Sequence, residues 1–127
     1  KKDIKFINRQ KGSGTRVLLD YLLKKKGINP LNIQGYSREE YTHLMVASAV
    51  AEGNVDTGMG ILSAAKAFGL DFVPVTKERY DIIIPKEYYS SLKFQKLFTI
   101  IRSEKFKKKV LSLGGYDLSQ SGRVIEG

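Results

Sequence analysis

The residues best equipped for chemistry form one unbroken run, Arg9-Gln10-Lys11-Gly12-Ser13-Gly14-Thr15-Arg16. An apolar, strand-like stretch (4–8) precedes it and a helical pattern (15–26) follows. A strand, a glycine-rich turn and a helix start together hold anions well. The first backbone N–H groups of a helix have no partner inside it, and the aligned peptide dipoles add partial positive charge there. Gly12 and Gly14 allow a tight turn and a close approach of backbone to ligand. Ser13 and Thr15 add hydroxyl donors; Arg9, Lys11 and Arg16 add charged ones. The run reads as an oxyanion-binding loop, and also as a plain helix N-cap in which Ser13 or Thr15 does the capping. It lacks the G-K-[ST] ending of a nucleotide-binding P-loop. It lacks the third glycine of G-x-G-x-x-G as well, since Leu18 and Leu19 follow.

Further along, Thr42 and His43 stand at the start of a helical stripe and could donate to an anion; a packed first-turn histidine is the plainer alternative. One histidine without cysteine makes a poor metal site. Asp56 reads as a turn residue or as a support for Arg16 or another cation, because a carboxylate beside a dianion would repel it. Gly58 and Gly60 could expose amides before the next helix start, or make a simple turn. Tyr80 offers a hydroxyl to a ligand or a ring to a hinge. No nucleophile–base pair stands out. Ser13 is not in a G-x-S-x-G elbow and the only histidine lies in another element. A binder without catalysis is expected, unless His43 approaches Ser13.

Length and charge agree with that. The 127 residues make one domain or less, with 42% hydrophobic residues and a net charge of +9 that suits an anionic partner. Lys24, Lys25 and Lys26, like Lys105, Lys107, Lys108 and Lys109, fall near expected helix ends, where cations complement the dipole. With no cysteine there is no disulfide frame. No apolar run is long enough for a membrane span. The start at Lys1 carries no signal peptide, so a cytoplasmic setting is favoured and a processed or cut chain expected.

The elements that must position the loop alternate. Strands are expected at 4–8, 33–36, 54–60 (with a turn), 70–75 and 80–84. Helices are expected at 15–26, 37–52 (opened by a capping box, S-R-E-E, at 37–40), 61–68, 91–101 and 103–113. Glu78 and Arg79 are expected to be exposed or paired, and the tail (116–127) to be a loose turn with a short strand. The pattern argues for α/β architecture, a mostly parallel sheet with flanking helices.

Four blocks in this order, F-I-N-R-Q-K-G-S-G-T-R (6–16), T-H-L-M-V-A-S-A-V-A-E-G (42–53), G-L-D-F-V-P-V (69–75) and E-R-Y-D-I-I-I-P (78–85), resemble one family. It is the periplasmic-binding-protein-like domain associated with molybdate, found with molybdopterin-biosynthesis proteins and molybdate regulators. The resemblance implies a type 2 binding-protein fold, two lobes around a ligand cleft. Residues 4–75 would be the second lobe, and 76–127 a crossing strand with helices that complete part of the first. The early first-lobe segment would lie upstream, so a half-site, a fused domain or a homodimer is expected. The loop also resembles that of phosphate-binding proteins, R-x-D-G-S-G-T, with Lys11 in place of the aspartate. A lysine only donates, which favours fully deprotonated dianions such as molybdate, tungstate or sulfate. No cofactor is implied beyond that anion.

Two other functions are compatible with the sequence. One is a ligand-sensing effector domain of a transcription regulator, though the chain shows no helix-turn-helix of its own. The other, less favoured, is direct nucleic-acid binding through the basic helices, because helical spacing places Tyr88, Tyr89, Phe94 and Phe98 mainly in a core.

Overall fold

A computed structural model describes residues 3–77 and 80–125. The chain divides into two compact units, Lys1–Phe72 and Val73–Gly127.

The first unit is built around β1 (Phe6–Arg9), whose neighbours β2 (Glu39–Glu40) and β3 (Thr57–Gly58) both run parallel to it in the order β2-β1-β3. Asn8 pairs with Glu39 and Arg9 with Glu40 on one side; Phe6 pairs with Thr57 and Ile7 with Gly58 on the other. Parallel neighbours need long crossovers, and helices supply them: α1 (Gly14–Lys25) links β1 to β2 and α2 (His43–Ala51) links β2 to β3, while α3 (Leu62–Ala67) follows β3. Each strand therefore leads into a helix start at the carboxyl edge of the sheet.

The pleat divides β1 between two environments. Ile7, fully buried, packs with Val46, Ala49 and Val55 in a small core. Arg9 lies on the same face of the strand, two residues nearer the edge. Asn8 faces the other way, 2% exposed, and donates from Nδ2 to the Tyr36 carbonyl at 2.9 Å. Gly58 permits the close fit of β3: a Cβ there would stand 2.6 Å from Val46 Cγ1 and 3.1 Å from the Ile7 carbonyl oxygen. Asp56 supports the amino end of β1, accepting from the Lys5 amide at 2.8 Å.

Each expected helix after the first unit's strands is present, but two local expectations are corrected. The S-R-E-E run is no capping box. Arg38 accepts from the Asn8 amide with its carbonyl (2.8 Å), and Glu39–Glu40 forms β2; the cap of α2 is Thr42, whose hydroxyl accepts from the Met45 amide at 3.0 Å. The expected strand at 33–36 is a turn that follows a 3-10 helix (Pro30–Asn32), because Gly35 has φ +97 and presses against the Phe6 carbonyl. The second strand is real but starts after that turn.

In the second unit α4 (Lys86–Tyr89), α5 (Leu92–Arg102) and α6 (Glu104–Leu113) follow one another. Ser103 ends α5 and caps α6: its hydroxyl donates to the Ile100 carbonyl at 2.6 Å and accepts from the Phe106 amide at 3.2 Å. Phe94 and Phe98 stack with centroids 5.6 Å apart, and the Arg102 guanidinium lies 3.8 Å over the Phe98 ring.

The strands expected at 70–75 and 80–84, and in the tail, do not form among the described residues. Pro74 has no N–H to give a ladder. The isoleucine run favours extended backbone, but a strand also needs a neighbour, and Ile83 stays 94% exposed. Glu78 and Arg79 lie outside the described residues, as do the last two of the tail.

Candidate functional site at the carboxyl edge of the sheet

The loop after β1 begins with a compact turn. The Ser13 amide donates to the Gln10 carbonyl at 3.2 Å and the Gln10 amide to the Glu40 carbonyl at 3.1 Å, which ties the loop to β2. Gly12 takes φ +90, a conformation that L side chains resist. Ser13 then caps α1, its Oγ accepting from the Arg16 amide at 3.1 Å. The Gly14 and Thr15 amides, at the first two helical positions, meet no acceptor among the described residues. Accepting from the Arg16 amide through one lone pair still leaves the Ser13 O–H proton to donate outward.

Arg9 ends β1 beneath this loop. It is 9% exposed, yet its three partners among the described residues are all neutral: Nε donates to Gln10 Oε1 (3.2 Å), one terminal nitrogen to the Tyr41 carbonyl (3.1 Å), and the other to His43 Nδ1 (3.1 Å). A guanidinium can only donate, so His43 Nδ1 is the accepting nitrogen and the neutral ring carries its proton on Nε2. No carboxylate among the described residues comes within 4.0 Å of Arg9, its register partner Glu40 included. A buried charge is costly without a counter-charge.

Arg16 does a different job. It is 4% exposed; one terminal nitrogen donates to the Arg9 carbonyl (3.0 Å) and to Glu39 Oε2 (3.1 Å). Its Nε lies 3.4 Å from Asp20 Oδ2, and its guanidinium lies 4.4 Å from the centre of the Tyr36 ring, whose hydroxyl donates to Asp20. Burial works against its charge, but hydrogen bonds to Tyr36 and Glu39, with the field of Asp20, hold its pKa raised. Arg16 therefore braces the start of α1 against β2 and the 33–38 turn.

The structure thus brings Arg9, Lys11, Ser13, Gly14, Thr15, Thr42 and His43 to one edge. Lys11 is exposed, and Thr42 caps α2. Gly60 is close by, the place of an added Cβ lying 3.5 Å from His43 Nδ1, whereas Gly58 is needed for packing. Asp56 supports Lys5 and not Arg16. His43 Nδ1 turns to Arg9 and Ser13 Oγ to the Arg16 amide, so these two atoms do not form a base–nucleophile pair. Tyr80 belongs to the second unit, its side chain 72% exposed. Among the described residues no group of three or more histidine and carboxylate side chains could hold a metal ion. Sequence reasoning passed over Gln10, although it sits inside the loop. It also missed the Tyr36–Glu39 brace, which no local spacing announces.

A parallel sheet whose order reverses at the first strand, with helix starts and a buried cation at its carboxyl edge, defines an α/β ligand-binding module. The chain belongs to the PBP-like superfamily: the PBP superfamily domain matches residues 1–102. Such domains bind small ligands and are usually non-catalytic. The chain is 43% identical over 110 residues to an uncharacterized protein encoded in the ferredoxin 2Fe-2S gene 5' region of Clostridium pasteurianum, covering 86% of this chain and 97% of that one. It is 42% identical over 123 residues to the uncharacterized protein YvgK of Bacillus subtilis (strain 168), covering 97% of this chain and 39% of YvgK. Over 82 residues it is 32% identical to the foldase protein PrsA of Streptococcus sanguinis (strain SK36), spanning 24% of that protein. No solved structure matches significantly. No helix among the described residues is long and apolar enough to cross a membrane.

Proposed function

We propose that the carboxyl edge of the sheet binds a tetrahedral oxyanion of the molybdate and tungstate class, for molybdenum uptake, cofactor synthesis or sensing. The observation that carries this reading is Arg9, a buried guanidinium whose partners among the described residues are all neutral. An anion at the mouth of the loop supplies the missing counter-charge. The Gly14 and Thr15 amides, the hydroxyls of Ser13 and Thr15, and Lys11 complete a set of donors. Thr42 and His43 extend it from α2. Arg16 positions the loop, because its charge is already met by Glu39 and Asp20. In this reading residues 4–75 act as one lobe of a binding-protein fold and carry the site.

A set of amides, hydroxyls and cations without a carboxylate discriminates by protonation. A bare dianion accepts from every donor, whereas the hydrogen of a protonated anion meets only hydroxyl oxygens and gives up one accepting position. Calorimetry at neutral pH is expected to rank molybdate, tungstate and sulfate above phosphate; phosphate outcompeting molybdate overturns the preference. Replacing Arg9 and Ser13 together by alanine is expected to abolish binding, and unchanged affinity in that variant overturns the site.

A further inference from the structure

We infer that Gln10 is a ligand-contacting residue that sets the selectivity of this site, with Arg9 as the residue that orients it; the inference rests on the oxyanion reading above. The two ends of a glutamine amide differ chemically: one oxygen accepts, one nitrogen donates twice. Which end faces the protein is settled here by a neighbour that cannot accept. Arg9 Nε lies 3.2 Å from the Gln10 side chain, so the atom towards it is Oε1 and the NH2 group is directed away. Gln10 is half-buried, and its NH2 meets no acceptor among the described residues. Its backbone is fixed at both ends, the amide on Glu40 and the carbonyl on the Ser13 amide, so the side chain starts from a held position beside the first turn of α1.

The result is a relay of polarity. The buried guanidinium draws the oxygen of Gln10 inward and leaves two amide hydrogens to the mouth of the loop. Those hydrogens suit an oxygen that carries no proton. Glutamate at this position has the same shape and the opposite preference. Its carboxylate pairs with Arg9, repels a bare dianion and accepts from the O–H of a protonated anion.

The test compares the wild-type chain with Gln10→Glu at pH 7.5, titrating each with molybdate and with inorganic phosphate. For Gln10→Glu the expected result is a loss of molybdate affinity of about 10-fold to 100-fold, the range for one hydrogen bond to a charged group. Phosphate affinity is expected to fall less, so that the ratio of the two drops at least about 10-fold. The melting temperature without ligand is expected to hold or rise, because the new carboxylate neutralises Arg9. In the 15N-labelled wild type, the Gln10 side-chain NH2 resonances are expected to shift on adding molybdate, a readout independent of how the variant folds. If the wild type binds molybdate but the ratio stays within about twofold, or the NH2 resonances stay put, Gln10 is no ligand contact and the oxyanion site stands without it. A wild type that binds neither anion overturns the oxyanion reading and this assignment together.

Discussion

Arg9 and Arg16 are seven positions apart, equally buried for practical purposes, and electrostatically opposite. Arg16 is enclosed by Glu39 and Asp20; Arg9 by an amide oxygen, a carbonyl and a ring nitrogen. The difference makes a prediction about stability as well as affinity. Arg9→Met keeps much of the volume and removes the unmatched charge. It is expected to cost molybdate affinity about 100-fold or more while leaving urea stability without ligand unchanged or higher. Arg16→Met is expected to lower stability by about 1–2 kcal/mol, because it leaves Glu39 and Asp20, both partly exposed, without their cation. Glu40, register partner of Arg9, is the nearest negative charge along the ladder. Removing it in Glu40→Gln is expected to raise dianion affinity several-fold by calorimetry, most at low salt. The sequence announced both arginines as donors but could not tell them apart. Their roles depend on Glu39, Tyr41 and His43, whose distance along the chain hides them from any local pattern.

At the level of elements, capping and the proposed binding meet in one side chain. Ser13 accepts from the Arg16 amide and belongs to the proposed donor set. Ser13→Asp separates the two jobs. Aspartate is as good a cap and suits the helix dipole, so the melting temperature is expected to hold or rise, while its charge is expected to abolish anion binding. Gly58→Ala is expected to lower stability by about 1–3 kcal/mol, measured by denaturant unfolding, since the added methyl would overlap Val46 and crowd the Ile7 carbonyl. Helices α1, α2, α5 and α6 were legible because a serine or threonine cap precedes an apolar pattern in each, whereas the short α4, which starts after Pro85 with no such cap, was not expected. The S-R-E-E run misled because the same residues that make a capping box can also extend, and pairing with β1 won. The strands at 70–75 and 80–84 misled for the converse reason. Their composition is right, but composition does not supply a neighbouring strand.

At the scale of the whole chain, residues 71–77 are exposed and form no ladder between the two units. Limited trypsin digestion of the native protein is therefore expected to cut after Lys77 before it cuts within α1 or α2, checked by mass spectrometry. In the second unit the exposed Asp117 accepts from the Ser119 amide at 2.8 Å, which holds its pKa below the ordinary carboxylate value. A depressed carboxylate pKa adds stability at neutral pH and gives it up as pH falls through the folded value. Carbon-13 titration is expected to find that midpoint below 3.8. The parent class was readable from four blocks of sequence. The division into two units was not, because the extended stretch after α3 looks the same in sequence whether or not it finds a partner.

The central place of β1 has a temporal consequence. Its strand partners are residues 34–40 on one side and 56–58 on the other, both far along the chain. During synthesis the segment that ends in Arg9 must wait, without its strand partners, until Thr57 and Gly58 have left the ribosome. Until then the guanidinium has no roof and the loop no fixed shape. Nascent chains arrested before Gly58 clears the exit tunnel should leave the anion unbound, and slightly longer ones should acquire it in a single step.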